Sequence, residues 1–378
     1  MNVLILSCNT GGGHNAAASA LAERLRKQGH GAEQVDFLAL GGKGVSEAAS
    51  GIYVELVKRA PALFGVVYGL GDLVSAADRV LGLRSPVYAA NARVAPALNR
   101  YLAEHDFDAV VATHMFPAMA LTEIKRRGMA LPLTAALATD YSCIPFFQEA
   151  DCDYLLLSSA LCLEEFVRHG FSREKLVPLG IPVADSFREK VGQAEARRQL
   201  GLPPDRRQVL VMGGSMGAGQ ITQLTGCLLR RMEPDVGVIV VCGTNFRMQK
   251  HLERRYRRSG RVRILGYTDQ VARYMEASSL LYTKPGGVTS TEGAVMGIPM
   301  VHIRPIPGCE SGNRRVFTRA GMSVTARSAR ALAAKGRLLL DDPERQERMR
   351  RAQQTRIAAD AAGRIVAFLE KEIRRRET

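Results

Sequence analysis

Apolar residues in this chain gather into short runs, and two of those runs share one grammar. Val3 to Leu6 leads into Gly11 to Gly13, and Val209 to Met212 leads into Gly213 to Gly219, each followed by a stretch of helical periodicity. An aliphatic run without polar alternation marks a strand covered on both faces, hence a parallel sheet. Further strand candidates lie near Ala32–Asp36, Ala109–Thr113, Leu133–Thr139 and Tyr154–Leu157 after the first turn. Others follow the second turn, near Val238–Cys242, Arg261–Leu265, Leu280–Thr283 and Met300–Ile303. Helical spacing between most of them predicts an α/β protein of two doubly wound, Rossmann-like domains facing across a cleft.

Length agrees, because 378 residues exceed what one core commonly holds. Pro and Gly punctuate Pro178 to Val183 ahead of a charged stretch from Asp185 to Leu200. The expected domains are therefore 1–183 and 184–356, with a last helix at about 357–378 crossing back onto the first. Residues 45–103 form an insert of helical spacing with interspersed Lys58, Arg59, Arg79, Arg84 and Arg93. Two readings suit it, a basic amphipathic surface element and ordinary core helices.

A formal charge of +15 calls for an anionic partner: nucleotide phosphate, nucleic acid or acidic lipid. The absence of Trp, a 6% aromatic content and the lack of a nucleic-acid-binding motif speak against nucleic acid. Seven scattered cysteines without a C-x-x-C pair fit a reducing, cytoplasmic setting. The opening MNVLILSCNTGGGH has no basic stretch ahead of its apolar residues, so no signal peptide is expected. No uninterrupted apolar run reaches the roughly 18 residues a membrane span requires.

Three places carry candidate chemistry. Gly12 and Gly13 let the chain turn out of its first strand and place His14 at a helix start, where the dipole disfavours imidazolium and keeps a neutral base available. A capping or packing histidine is the alternative there. Gly213 to Gly219 offers backbone N–H groups suited to phosphate, or is a plain tight turn. In the third, Thr283 to Glu292, Gly286 and Gly287 permit close backbone approach, and Glu292, read as lying on the first helical turn, has the acceptors for two ribose hydroxyls. Glu310 and Asn313 can do the same for a sugar. Helix capping by Thr289, Ser290 and Glu292 is the competing reading. Asp140 closes a strand candidate at the edge where ligands gather in such sheets, as a second base, as a residue that orients His14, or as a turn cap. Leaving-group charge can be met by the Gly213–Gly219 turn with Arg247 or Lys284, so no metal and no other cofactor is expected.

Taken in order, SCNTGGGHNAAASAL, THMFPAM, ATDYSCIPFF, VMGGSMG, VVCGTN, KPGGVTSTEGAVMGIPM and IPGCESGN resemble the monogalactosyldiacylglycerol synthase and processive diacylglycerol glucosyltransferase family, relatives of the peptidoglycan N-acetylglucosaminyltransferase. The resemblance implies the GT-B fold and an inverting transfer of hexose from UDP-glucose or UDP-galactose to diacylglycerol or a glycosyl-diacylglycerol. It also implies peripheral attachment to an anionic membrane lipid surface, at the inner face of the cell membrane. By position, His14 becomes a general base or acceptor-site residue, with Gly12, Gly13 and His114 binding the acceptor in the first domain. In the second, Gly214, Ser215, Met216 and Gly217 become the phosphate loop, supported by Gly243, Asn245, Lys284, Gly286, Gly287 and Thr289. Glu292 becomes the ribose ligand, Glu310 and Asn313 contact the hexose, and the uracil pocket falls near Gly266 and Tyr267. Family members often have a histidine and a tryptophan where this chain has Ile144 and Phe147, glutamine at Cys309 and a basic residue at Thr244. The alternatives are an N-acetylglucosamine transferase with a polyprenyl-linked acceptor, and a regulatory protein that binds UDP-sugar.

Overall fold

The computed structural model describes residues 1–9, 12–42, 84–217, 219–306 and 308–377. The chain divides into two compact units: Met1–Ala184 with Pro307–Cys309 and Asp360–Thr378, and Asp185–Ile306 with Glu310–Ala359.

The first unit holds six parallel strands: β1 (Asn2–Ser7), β2 (Gly31–Asp36), β3 (Ala109–Ala112), β4 (Leu133–Leu137), β5 (Tyr154–Leu156) and β6 (Leu176–Val177), in the spatial order β2-β1-β3-β4-β5-β6. β1 pairs with β2 from Asn2 opposite Gly31 and with β3 from Val3 opposite Ala109. β3 and β4 are buried along their whole length, as the unalternating runs required. Leu4, Ile5 and Leu6 are fully buried, each contributing about 2 kcal/mol.

Of the insert, residues 84–103 are described, and there the core-helix reading holds. Helices Pro86–Ala92 and Ala95–Ala103 bury Tyr88, Asn91, Ala95 and Leu98, so they are core helices. Glu149 takes both the backbone N–H (2.8 Å) and the hydroxyl (2.6 Å) of Ser85, and Tyr88 donates to Glu123 at 2.9 Å. Arg84 is spent on the Glu149 carbonyl and the Tyr88 ring. Lys58, Arg59 and Arg79 lie outside the described residues. The last helix, Ala361–Glu377, buries Ala361, Ala362, Ile365, Val366 and Leu369 within this unit. It is tied there by Arg24–Asp360 (3.1 Å), His30–Glu370 (3.0 Å), Tyr154–Glu372 (2.6 Å) and Arg376–Asp153 (2.6 Å).

The second unit repeats the plan with β7 (Gln208–Met212), β8 (Gly237–Val241), β9 (Val262–Leu265), β10 (Leu280–Thr283), β11 (Met300–His302) and β12 (Val324–Thr325), all parallel, ordered β12-β11-β10-β7-β8-β9. Val209, Val211, Val238, Val240 and Tyr282 meet Ile221, Leu224, Leu332 and Leu339 in one core.

Each sheet reverses its winding once, between β1 and β3 in the first and between β7 and β10 in the second. At such a point neighbouring crossover connections leave in opposite directions, opening a crevice at the strands' carboxyl ends. Both glycine-rich turns issue from these points.

Candidate functional site: two switch points

At the first switch point β1 leads to the helix Gly12–Lys27, with His14 in its opening turn, while β3 ends against Thr113 and His114. His14 Nδ1 lies 2.8 Å from the Thr113 carbonyl oxygen and 2.9 Å from the Thr139 hydroxyl. A carbonyl only accepts, so Nδ1 carries the hydrogen and Nε2 keeps its lone pair. Burial lowers the His14 pKa below the ordinary histidine value, opposed by the Asp140 carboxylate and by the bond to Thr113. The imidazole is thus neutral at pH 7 with a countercharge in place for the proton it accepts.

His114 meets His14 edge-on, ring centres 4.5 Å apart at 77°. Its Nδ1 accepts the Phe116 amide at 3.2 Å and caps the helix Met115–Arg126, and burial followed by the neighbouring His14 holds it well below the ordinary value. Both imidazoles with Asp140, Ile144 and Phe147 line one pocket. The structure therefore gathers His14, His114 and Asp140. It adds Thr113 and Thr139, which sequence reading passed over; the signal available was a hydroxyl residue closing each of two strand candidates.

At the second switch point the turn after β7 is locked to the turn after β8. Gly217 donates to Gly214 O at 3.0 Å, Thr244 N donates to Ser215 O at 2.8 Å, and Asn245 Nδ2 reaches Gly217 O at 3.4 Å. Gly217 (φ 58°) and Gly243 (φ 56°) are left-handed, and a Cβ on either would collide with the carbonyl oxygen of Cys242 or Ser215 respectively. No acceptor among the described residues takes the N–H groups of Gly214, Ser215 and Met216. The helix that follows begins only at Ile221, so these amides belong to the turn itself.

After β10, Lys284 lies across Gly214, where a Cβ would stand 2.6 Å from its Cε. Its ammonium pairs with Glu310, whose other oxygen accepts the Ile306 amide at 2.8 Å. The separate roles expected of Lys284 and Glu310 thus begin from one ion pair. Asn313 is fully buried one turn after Glu310 on the helix Cys309–Arg319.

The helix Gly287–Met296 starts at Gly287 without a side-chain cap, which corrects one expectation and leaves the competing reading without support. Glu292 sits in the second turn, not the first, and the capping role is absent: Ser290 bonds His302 Nε2 at 3.1 Å and Thr291 bonds Gly287 O at 2.8 Å. Burial pushes the Glu292 carboxyl up to about 7, with a hydrogen bond from Thr289 opposing. Gly266 and the 75% exposed Tyr267 follow β9. Sheet order then sets Lys284 and Glu292 (after β10), Gly214–Gly217 (after β7), Gly243–Asn245 (after β8) and Gly266–Tyr267 (after β9) in a row. At roughly 4.8 Å per strand this row is about 14 Å long, which suits an elongated ligand.

Among the described residues no group of three or more His, Cys, Asp or Glu side chains is arranged to hold a metal ion. The D-x-D tripeptide Asp151–Asp153 precedes β5 at the opposite edge of the first sheet and is engaged by Lys125, Lys175, Thr134 and Arg376.

Comparison with known proteins agrees along the whole chain. Residues 14–183 match the monogalactosyldiacylglycerol (MGDG) synthase family and residues 208–365 the glycosyltransferase family 28 C-terminal domain. A processive diacylglycerol beta-glucosyltransferase of Bacillus mycoides is 26% identical over 370 residues, 96% of this chain and 92% of the relative. Among solved structures, Acinetobacter baumannii MurG superposes with a TM-score of 0.64 at 15% identity, covering 98% of this chain and 99% of that one. A Listeria monocytogenes protein described as a UDP-N-acetylglucosamine 2-epimerase gives 0.66 at 14% identity, covering 99% and 97%. Anabaena HepE, solved with UDP and glucose, gives 0.58 at 14%, covering 98% and 99%. These structural likenesses establish the GT-B fold and no more. With its amino-terminal half similar to one model, its carboxy-terminal half similar to the other and a diacylglycerol glucosyltransferase matched over 96% of its length, the chain is a glycosyltransferase that resembles the monogalactosyldiacylglycerol synthases.

Proposed function

We propose that the protein moves a hexose from UDP-glucose or UDP-galactose to diacylglycerol or a glycosyl-diacylglycerol, with inversion, while attached peripherally to the inner, anionic face of the cell membrane. The relatives' names support the lipid acceptor, and HepE, solved with UDP and glucose, supports the donor class. One observation carries the chemistry: His14 is neutral, with Nδ1–H fixed on Thr113 O and Nε2 left as a base.

The acceptor hydroxyl gives its proton to His14 Nε2 as its oxygen attacks the anomeric carbon opposite the departing UDP, so an α-linked donor yields a β-linked product. Asp140 steadies the imidazolium. The amides of Gly214, Ser215 and Met216 receive the diphosphate charge, Glu292 holds the ribose, and Glu310 with Asn313 reads the hexose. A metal has no step in this scheme, the turn amides and Lys284 supplying the positive field. Gly12, Gly13 and His114 shape the acceptor side. Tyr267 and Gly266 border the base.

The test is incubation of the purified protein with UDP-glucose, UDP-galactose and UDP-N-acetylglucosamine and mixed membrane lipids, with products read by mass spectrometry. A hexosyl-diacylglycerol peak is expected. Transfer confined to N-acetylglucosamine, or donor binding without any lipid product, would overturn the proposal.

A further inference from the structure

The carboxy-terminal unit carries a basic face on the helix that follows Asn245. Between Arg247 and Arg258, on the helix Phe246–Tyr256 and the turn after it, stand Arg247, Lys250, Arg254, Arg255, Arg257 and Arg258, all exposed, against the one carboxylate of Glu253. At about 100° per residue, Phe246, Arg247, Lys250 and Arg254 fall on the side away from fully buried Leu252. Among the described residues none of the six cations forms an ion pair. The contrast within the same unit is sharp: on the helix Pro343–Arg356, Arg348 pairs with Glu344, and Arg350 and Arg351 pair with Glu347. In the last helix Arg376 is taken by Asp153 and Arg375 by Glu372. The cations of this face thus lack the carboxylate partners that the arginines of those two helices have. At the amino end of this face Phe246 is 61% exposed, its ring under the Lys250 ammonium at 4.4 Å.

Unbalanced cations around an exposed aromatic ring suit a surface that is both anionic and apolar beneath, and a lipid bilayer is both. We infer that the face formed by Phe246 to Arg258 docks the protein on anionic lipid. The choice of lipid over another polyanion rests on the acceptor proposed above; the charge asymmetry does not.

The experiment compares the full chain with a Lys250→Gln/Arg254→Gln/Arg257→Gln/Arg258→Gln variant for partition onto phosphatidylglycerol-containing vesicles at low salt, with an Arg348→Gln/Arg351→Gln variant as control. Each well-placed cation is worth about fivefold in partition, so the quadruple variant is expected to fall by on the order of a hundredfold or more and the control to change little. Unchanged UDP affinity and circular dichroism show that the quadruple variant is folded. Equal partition of the two variants overturns the inference, as does loss of duplex-oligonucleotide binding with vesicle partition intact. Transfer to detergent-dispersed diacylglycerol by the quadruple variant separates this outcome from failure of the proposed reaction.

Discussion

Lys284 and Glu310 neutralise each other beside the turn at Gly214, their side chains 16% and 7% exposed, while the second Glu310 oxygen secures the Ile306 amide. Removing one partner strands the other. Lys284→Met is expected to lower stability by about 3 kcal/mol, and adding Glu310→Leu to recover part of that loss, read as denaturant midpoints. A double variant no more stable than Lys284→Met would mean that the pair is not the source of the cost.

His14 lies in one unit and the Gly214–Gly217 turn in the other, so on the proposed reading the two functions separate. His14→Ala should retain UDP binding and lose transfer by about 10²–10⁴-fold. Thr139→Val removes a partner of Nδ1 but leaves the Thr113 carbonyl, so its loss should be much smaller. Turnover undiminished in His14→Ala would remove the histidine from the chemistry.

Glu292 titrates near neutrality, since burial pushes its carboxyl up to about 7. On the proposed reading ribose hydroxyls donate to the ionised form, so UDP affinity should weaken as pH falls through about 7, and binding near pH 6.5 should release protons detectable by calorimetry in buffers of different ionisation enthalpy. Glu292→Gln should flatten that dependence and cost roughly 10–100-fold in affinity. For stability the sign is opposite. The folded state binds the proton more tightly than the unfolded one, so stability falls as pH rises from the ordinary carboxyl value to about 7, and Glu292→Gln escapes that loss.

The transfer reaction has its own acid limit. Lowering of the His14 pKa places the acidic limb of kcat below the ordinary histidine range, whereas the limb in donor affinity sits near 7. The two limbs should therefore separate in kcat and kcat/KM profiles, and coincident limbs would contradict the separate assignments.

Gly217→Ala should cost more than Gly297→Ala, although both glycines have positive φ. A Cβ at Gly217 meets Cys242 O, whereas at Gly297 nothing lies within 4 Å. About 1 kcal/mol is expected for the open position and roughly 2–3 for the closed one, with UDP affinity lost only at Gly217.

Much of the fold could be read in advance because parallel strands are buried on both faces: Val209–Met212 has no polar residue to disguise it, and in Leu280–Thr283 the polar Thr283 comes last. β6 and β12 went unread because two residues, Leu176–Val177 and Val324–Thr325, carry no period. The glycine turns and His14 were legible because local chemistry fixes them. The Lys284–Glu310 pair and the hold of Thr113 and Thr139 on His14 were not, since residues 26, 99 and 125 positions apart meet only through sheet order. The same reason explains the helix start at Gly287, where Ser290, for which capping was the competing reading, is instead bonded to buried His302.

The row of turns after β10, β7, β8 and β9 has one more consequence. Each station along it is supplied by a different crossover, remote in sequence from its neighbours, so the sheet acts as a ruler whose marks can be exchanged singly. On the proposed reading, grafting a relative's segment after β11, where Glu310 and Asn313 stand next to the row, should alter which sugar is taken while the nucleotide turns stay in place.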